Sequence, residues 1–214
     1  MRLALAVLAL GLGITMANAQ TRFPVIQPEQ MNAEQKKLFE TIISGPRAQN
    51  YGGEAAKRVL SGGPFNAWMR SPEAGLKLQD VGAHIRFNSS LPKRLNELAI
   101  LVTAREWTSQ YEWYAHKALA LKAGLDGKII DAIAAGKRPE GMKDDEAAIY
   151  DFCIQLHHDR KVDDGAFNRV KALFGEQGVI DLVVVSGYYV AVSMTLNVAQ
   201  VPVPDGSVPL KPLD

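Results

Sequence analysis

Between about residue 30 and residue 200 the apolar residues fall in blocks at helical spacing, and helix-start and helix-stop residues separate the blocks. Asn32, with Gln35 three residues on, opens a helix that buries Leu38, Phe39, Ile42 and Ile43, and Gly45-Pro46 stops it. Residues 50–63 are rich in glycine and small side chains, which predicts a loop with one short helix. Ser71-Pro72-Glu73 supplies a cap, a proline at the first helical position and an acid near the positive helix end. The helix it starts runs to about Phe87, with Leu78, Val81 and Ile85 inward. Leu91-Pro92 begins a helix whose stretch from Leu95 to Val102 is apolar nearly all round, the pattern of a buried helix. Ser109 caps the next helix. Asp126 and Gly136 bracket a short one carrying Ile129, Ile130 and Ile133. Asp144 starts another that reaches His158, and Asp163 or Asp164 caps one that Gly175 ends.

Val179 to Val198 pulls two ways. Val183-Val184-Val185 and Tyr188-Tyr189 favour a strand, while the length without a turn signal favours a helix packed on all sides. A membrane span is disfavoured by Asp181, Ser186, Ser193, Thr195 and Asn197, so a buried helix is expected. The pattern as a whole predicts an all-α bundle of about eight to nine helices with short loops. Residues 20–204 form its domain, and 205–214 form a proline-rich, extended tail laid along the surface or a neighbouring subunit.

Composition adds a compartment and removes some partners. Met1-Arg2, an apolar run from Leu3 to Ile14 and Ala17-Asn18-Ala19 read as a secretory signal peptide over residues 1–19, too short to span a bilayer comfortably. The expected home is the periplasm or the exterior. Loss of that segment removes Arg2 and no acid, leaving 23 basic against 23 acidic residues. No basic stripe is left for nucleic acid or a membrane surface. Cys153 is the single cysteine, so no intrachain disulfide can form, and its apolar neighbours mark it as buried and inert.

Candidate chemistry centres on Glu112 and His116, four residues apart and therefore on one helix face. A carboxylate beside an imidazole fixes its orientation and tautomer and raises its basicity, which suits acid–base work near neutral pH. Glu97, on the buried helix, needs a partner for its carboxylate. Tyr111, Trp113, Tyr114 and Trp107 crowd the same region and either fill the core or wall a pocket for a ring substrate. The plainer alternative is an exposed Glu112/His116 pair of little energetic weight. A metal centre is disfavoured, because Glu112 and His116 supply two ligands where a catalytic site wants three, and His84 would have to come from another helix. His157-His158 suits the negative end of a helix.

The runs RLNELAIL (Arg94–Leu101), YEWYAH (Tyr111–His116) and KALALKAGLDGKIIDAI (Lys117–Ile133) resemble the carboxymuconolactone decarboxylase family, which also contains the alkylhydroperoxidase D type enzymes. Gly45-Pro46-Arg47 and GPFNAW from Gly63 resemble an N-terminal extension of its longer members. The resemblance implies an alkylhydroperoxidase D-like bundle and a homo-oligomer, a trimer or a multiple of one. Peroxidase members carry Cys-x-x-Cys-x-x-x-His; aligned on His116, the cysteines fall at Ser109 and Glu112, and Glu97 matches the acid of the proton relay. Without those thiols the dithiol chemistry has neither nucleophile nor resolving partner. The resemblance then implies cofactor-free decarboxylation, or related proton transfer, on a small carboxylated cyclic acid. His116 would be the acid, Glu112 its orienting group and Glu97 the end of the relay. Arg47 or Arg105 would hold a substrate carboxylate and Trp113 would wall the pocket. A non-catalytic exported binding or assembly protein that kept the fold is the alternative. The mature chain is expected to begin at Gln20. Intact-mass measurement of the exported protein checks this, and a precursor still carrying residues 1–19 would refute it.

Overall fold

The computed structural model describes residues 21–51, 54–204 and 206–213. The expected leader, residues 1–19, lies outside them. The described residues are helical with no strand, and the order is α1 (Ala33–Ser44), α2 (Pro46–Tyr51), α3 (Ala55–Ser61), α4 (Phe65–Trp68), α5 (Pro72–Asn88), α6 (Lys93–Glu106), α7 (Gln110–Lys122), α8 (Gly127–Ala134), α9 (Asp144–His158) and α10 (Asp164–Ala199). The count exceeds the sequence expectation because α2 and α4 span six and four residues. Elements so short show no periodicity.

Side-chain caps set the starts of α1, α8 and α10. The Asn32 side chain accepts from Gln35 N at 2.9 Å and the Gln35 side chain answers on Asn32 N at 3.0 Å. Asp126 accepts from Lys128 N, and Asp163 from Ala166 N at 2.7 Å, which makes Asp163 the cap rather than Asp164. Ser71 and Ser109 stand at the N-cap positions but make no side-chain cap bond. Pro46, expected only as a stop, also occupies the first position of α2. Gly175 sits at φ 69° and kinks α10 there, so the expected end became a bend between two helical halves.

α6 is the axis of the fold. It packs on α7, α8, α9 and α10, and every residue from Leu98 to Arg105 is buried. Polar contacts fix its register against α9. Arg94 pairs with Asp145 at 2.7 Å and with the buried Glu146, Thr103 Oγ1 lies 3.0 Å from His157 Nε2, and Glu106 bonds His158 at 2.7 Å. Both histidines therefore have specific side-chain partners beyond the helix end that the sequence offered for them. On the other side, α1 and α5 pack together and α5 meets α10. On α5, Ile85 is buried and Leu78 half-buried, but Val81 faces outward at 42% exposure, a correction to the expected inward set.

The segment after Val179 is helical, as length and the absent turn signal argued. It is not packed on all sides. Leu182, Val185, Tyr188, Tyr189 and Val192 are buried, whereas Ile180, Val183, Val184, Met194 and Val198 are exposed. α10 is long and apolar enough to cross a membrane by composition, yet half of its most apolar window is buried in the bundle. Asp181, within that stretch, accepts from Ser90 N at 2.7 Å. The lead into α1 is tied to the end of α10, where Arg22 N and Thr21 Oγ1 donate to Ala199 O. The C-terminal segment is extended and returns over α7, where the Gln110 amide exchanges two bonds with the Leu210 backbone at 2.9 and 2.7 Å.

Leu98 is fully buried on the central helix. Leu98→Ala should lower unfolding free energy by about 2–5 kcal/mol, read by denaturant titration, with the spread set by how far the site can collapse.

Candidate functional site

Glu97 lies on α6, and Glu112 and His116 lie one turn apart on α7. The packing of α6 on α7 brings all three together. His116 Nδ1 sits 2.6 Å from Glu97 Oε2, and His116 Nε2 sits 3.0 Å from Glu112 Oε1. Both ring nitrogens thus face carboxylates. Glu112 and His116 are each 4% exposed, which removes the reading of an exposed surface pair. Burial alone would push the imidazolium down in pKa. The Glu97 and Glu112 charges, reinforced by their hydrogen bonds, outweigh it and raise His116 from 6.5 to about 9. At neutral pH the ring is therefore a cation that donates to both carboxylates.

Glu112 and His116 open onto a cavity of about 330 Å³, and Glu97 supports the ring from behind. The size suits a single small ring compound. Its other walls come from Pro64 and Phe65 at the start of α4, Arg47 on α2, Arg86 on α5 and Tyr188, Tyr189 and Val192 on α10. The Tyr189 ring stands edge-on to His116 at 5.1 Å between centroids, and Tyr188 stands edge-on to Tyr189 at the same separation. These rings lock the imidazole and keep the walls apolar.

Arg47 is the cation opposite. It is 4% exposed, donates from Nε to Gln79 Oε1 at 2.7 Å, and lies over the Phe65 ring at 5.6 Å. Its Nη2 is buried with no hydrogen-bond partner. The Tyr188 hydroxyl is its polar neighbour, so the guanidinium and the phenol together present donors to an anion in the cavity. Beside it, burial raises the Tyr188 hydroxyl to about 12 against the opposing Arg47 charge, so Tyr188 stays protonated and able to donate. Gly82 on α5 makes this approach possible, because a Cβ there would collide with the Tyr188 hydroxyl and with Arg47 Nη2.

Of the residues singled out from sequence, Glu97, Glu112, His116 and Arg47 come together. Arg105 and Trp113 do not. They line a second cavity on the other side of α7, because α6 turns Arg105 toward α8 and the C-terminal segment. Tyr111 and Tyr114 line the His116 cavity in place of Trp113. Sequence reasoning missed Gln79, Arg86, Tyr188 and Tyr189. The signal for the tyrosines was two phenol hydroxyls inside an apolar run, which buried helices accept only with a polar neighbour. Cys153 lies outside the cavity, buried on α9 against Ser186, and desolvation pushes its thiol up to about 12. Ser109 Oγ is buried without a partner.

The sequence matches no protein-family profile and no curated protein. Solved structures do match. An Agrobacterium tumefaciens protein of unknown function, described as a candidate antioxidant defence protein AhpD, superposes with a TM-score of 0.58 at 16% identity, over 66% of this chain and 98% of that one. The debrominase Bmp8, in a cysteine-to-alanine variant bound to 2,3,4-tribromopyrrole, superposes with a TM-score of 0.64 at 12% identity, over 87% of this chain and 93% of its own. The chain therefore has the alkylhydroperoxidase D-like fold.

The raised His116 value gives a signed pH dependence. A folded-state pKa of about 9 against 6.5 stabilises the fold fully below pH 6.5, and that stabilisation is lost as pH rises through about 9. Melting temperatures measured from pH 6 to pH 10 should show wild type well above His116→Gln at the acid end. The gap should narrow toward pH 10, and a constant gap would contradict the buried imidazolium.

Proposed function

We propose that the His116 cavity is a cofactor-free acid–base site for a small carboxylated ring compound, and that decarboxylation is the reaction it suits best. The observation that carries this reading is the Glu97–His116–Glu112 chain facing Arg47 across a small aromatic cavity. Two carboxylates hold a proton on the imidazole at neutral pH, and Glu112, at the cavity wall, passes it between His116 and the ligand. This changes the division of labour expected from sequence. Glu112 is the group that meets substrate, His116 is its proton reservoir, and Glu97 orients the ring through its Nδ1 proton.

In the reaction envisaged, the bond between the ring carbon and its carboxylate breaks and carbon dioxide leaves. The electron pair moves into a conjugated ring carbonyl, giving an enolate. Arg47 and the Tyr188 hydroxyl stabilise the developing oxyanion, an interaction stronger in the transition state than in the bound substrate. The enolate then collapses as carbon takes the proton from the Glu112–His116 pair, and solvent replaces it. Atoms and charge balance without an oxidant or reductant. The thiol-dependent alternative is weaker, because Glu112 and Ser109 stand where the resemblance puts cysteines and Cys153 is protonated and remote. A neighbour of the same fold binds a small ring, 2,3,4-tribromopyrrole, which supports a ring ligand. Export, expected from residues 1–19, would place the substrate outside the cytoplasm. The exposed apolar stripe of α10 supports the homo-oligomer expected from sequence.

A panel of carboxylated lactones and unsaturated ring acids, read by carbon dioxide release, tests the assignment. Glu112→Gln should lower turnover by roughly 10²–10⁴-fold and His116→Ala should abolish it, with helical circular dichroism retained. Cys153→Ser should change nothing. Peroxide reduction lost in Cys153→Ser but kept in His116→Ala would overturn the reading, and a panel without turnover would put the binding-protein alternative ahead.

A further inference from the structure

The cavity on the far side of α7 has an unmet electrostatic demand of its own. It measures about 1460 Å³ and is roofed by Val203, Pro204 and the C-terminal residues from Gly206 to Leu213. Its floor holds Arg105, 3% exposed, whose Nε and Nη1 are both buried without a hydrogen-bond partner. Each of the two forked edges of a guanidinium contains one of those nitrogens, so neither edge is satisfied. Burying a cation without an acceptor costs several kcal/mol in order of magnitude. Lining acids do not answer it. Among the described lining residues the one acid is Asp131, which faces Lys117 at 3.5 Å and is exposed. The neighbouring Glu106 offsets part of the Arg105 charge through space, but its carboxylate bonds His158 and leaves both guanidinium nitrogens without a hydrogen bond. The rest of the wall is largely apolar, with Trp113, Leu121, Val208, Leu210 and Leu213. Gln110 clamps the roof through the Leu210 backbone.

We propose that this cavity is a second ligand site, which binds the carboxylate of a small organic acid on Arg105 and packs its ring or alkyl body against Trp113 and the C-terminal roof. Both arms of a carboxylate find donors on one guanidinium edge, and the buried charge gains its missing partner. The apolar wall excludes inorganic anions in favour of acids with a hydrocarbon body. The site shares Tyr114 and Ala118 with the His116 cavity but none of its acid–base groups. Its occupancy does not depend on the reaction assigned there.

Calorimetric titration of the full-length protein with benzoate and with octanoate tests this, with benzamide as the uncharged control. At least one acid should bind saturably and benzamide should not. Arg105→Met should weaken binding about ten-fold or more, the loss expected for hydrogen bonds to a charged group. Without any acid its melting temperature should equal or exceed wild type, because a buried uncompensated charge has been removed. Arg105→Lys, which keeps the charge, should bind more weakly than wild type and more tightly than Arg105→Met. Arg47→Gln and His116→Ala should keep the component of binding that Arg105→Met loses, whatever acid also enters the other cavity, which separates the two sites. Equal binding of benzamide, no saturable binding of either acid, or loss in Arg47→Gln instead of Arg105→Met would each overturn the proposal. So would a lower melting temperature of Arg105→Met without acid, since it would reveal a partner already within the protein.

Discussion

One imidazole between two carboxylates is the constraint on which the site depends. Glu97 is carried by a helix buried on every side, and a carboxylate there is tolerable only with a cation in contact. His116 supplies it, and the same ring also meets Glu112. The arrangement needs α7 helical, to set Glu112 and His116 on one face, and α6 close-packed against it, to bring Glu97 to the second nitrogen. The aromatic wall from α10 then keeps water from replacing the carboxylates as the ring's partners. Loss of any one contact leaves a charge buried without its complement.

Three arginines, of which Arg47 and Arg105 are buried, show how differently one residue type is used. Arg47 is oriented by Gln79 and stacked over Phe65, and its Nη2 lies beside the Tyr188 hydroxyl in the wall of the His116 cavity. Arg94, on the same helix as Glu97, is satisfied by Asp145 and Glu146 and serves the α6–α9 contact. Arg105 has neither arrangement. A cation that the fold buries and leaves open marks a place where something else completes the structure.

Fold and chemistry separate clearly in this chain. Its bundle is shared with proteins at 16% and 12% identity, a level at which the likeness speaks for the backbone arrangement alone.

The sequence by itself determined the helical bundle and the position of its centre. Helix caps such as Asn32–Gln35 and Asp163 act over three or four residues, and the spacing of Glu112 and His116 follows from one helical turn, so both are written locally. The uniformly apolar run around Leu98 announced the axis of the fold for the same reason. Only tertiary packing decided the rest. Glu97 reaches His116 across two helices, Tyr188 reaches Arg47 through the gap left by Gly82, and Arg105 turns away from the site to which its neighbourhood in sequence suggested it belonged. Val81 was misread because periodicity gives the width of an apolar face and not the number of elements that arrive to cover it. Local spacing fixes which side chains share a face; which faces meet is set by the burial of the whole chain at once.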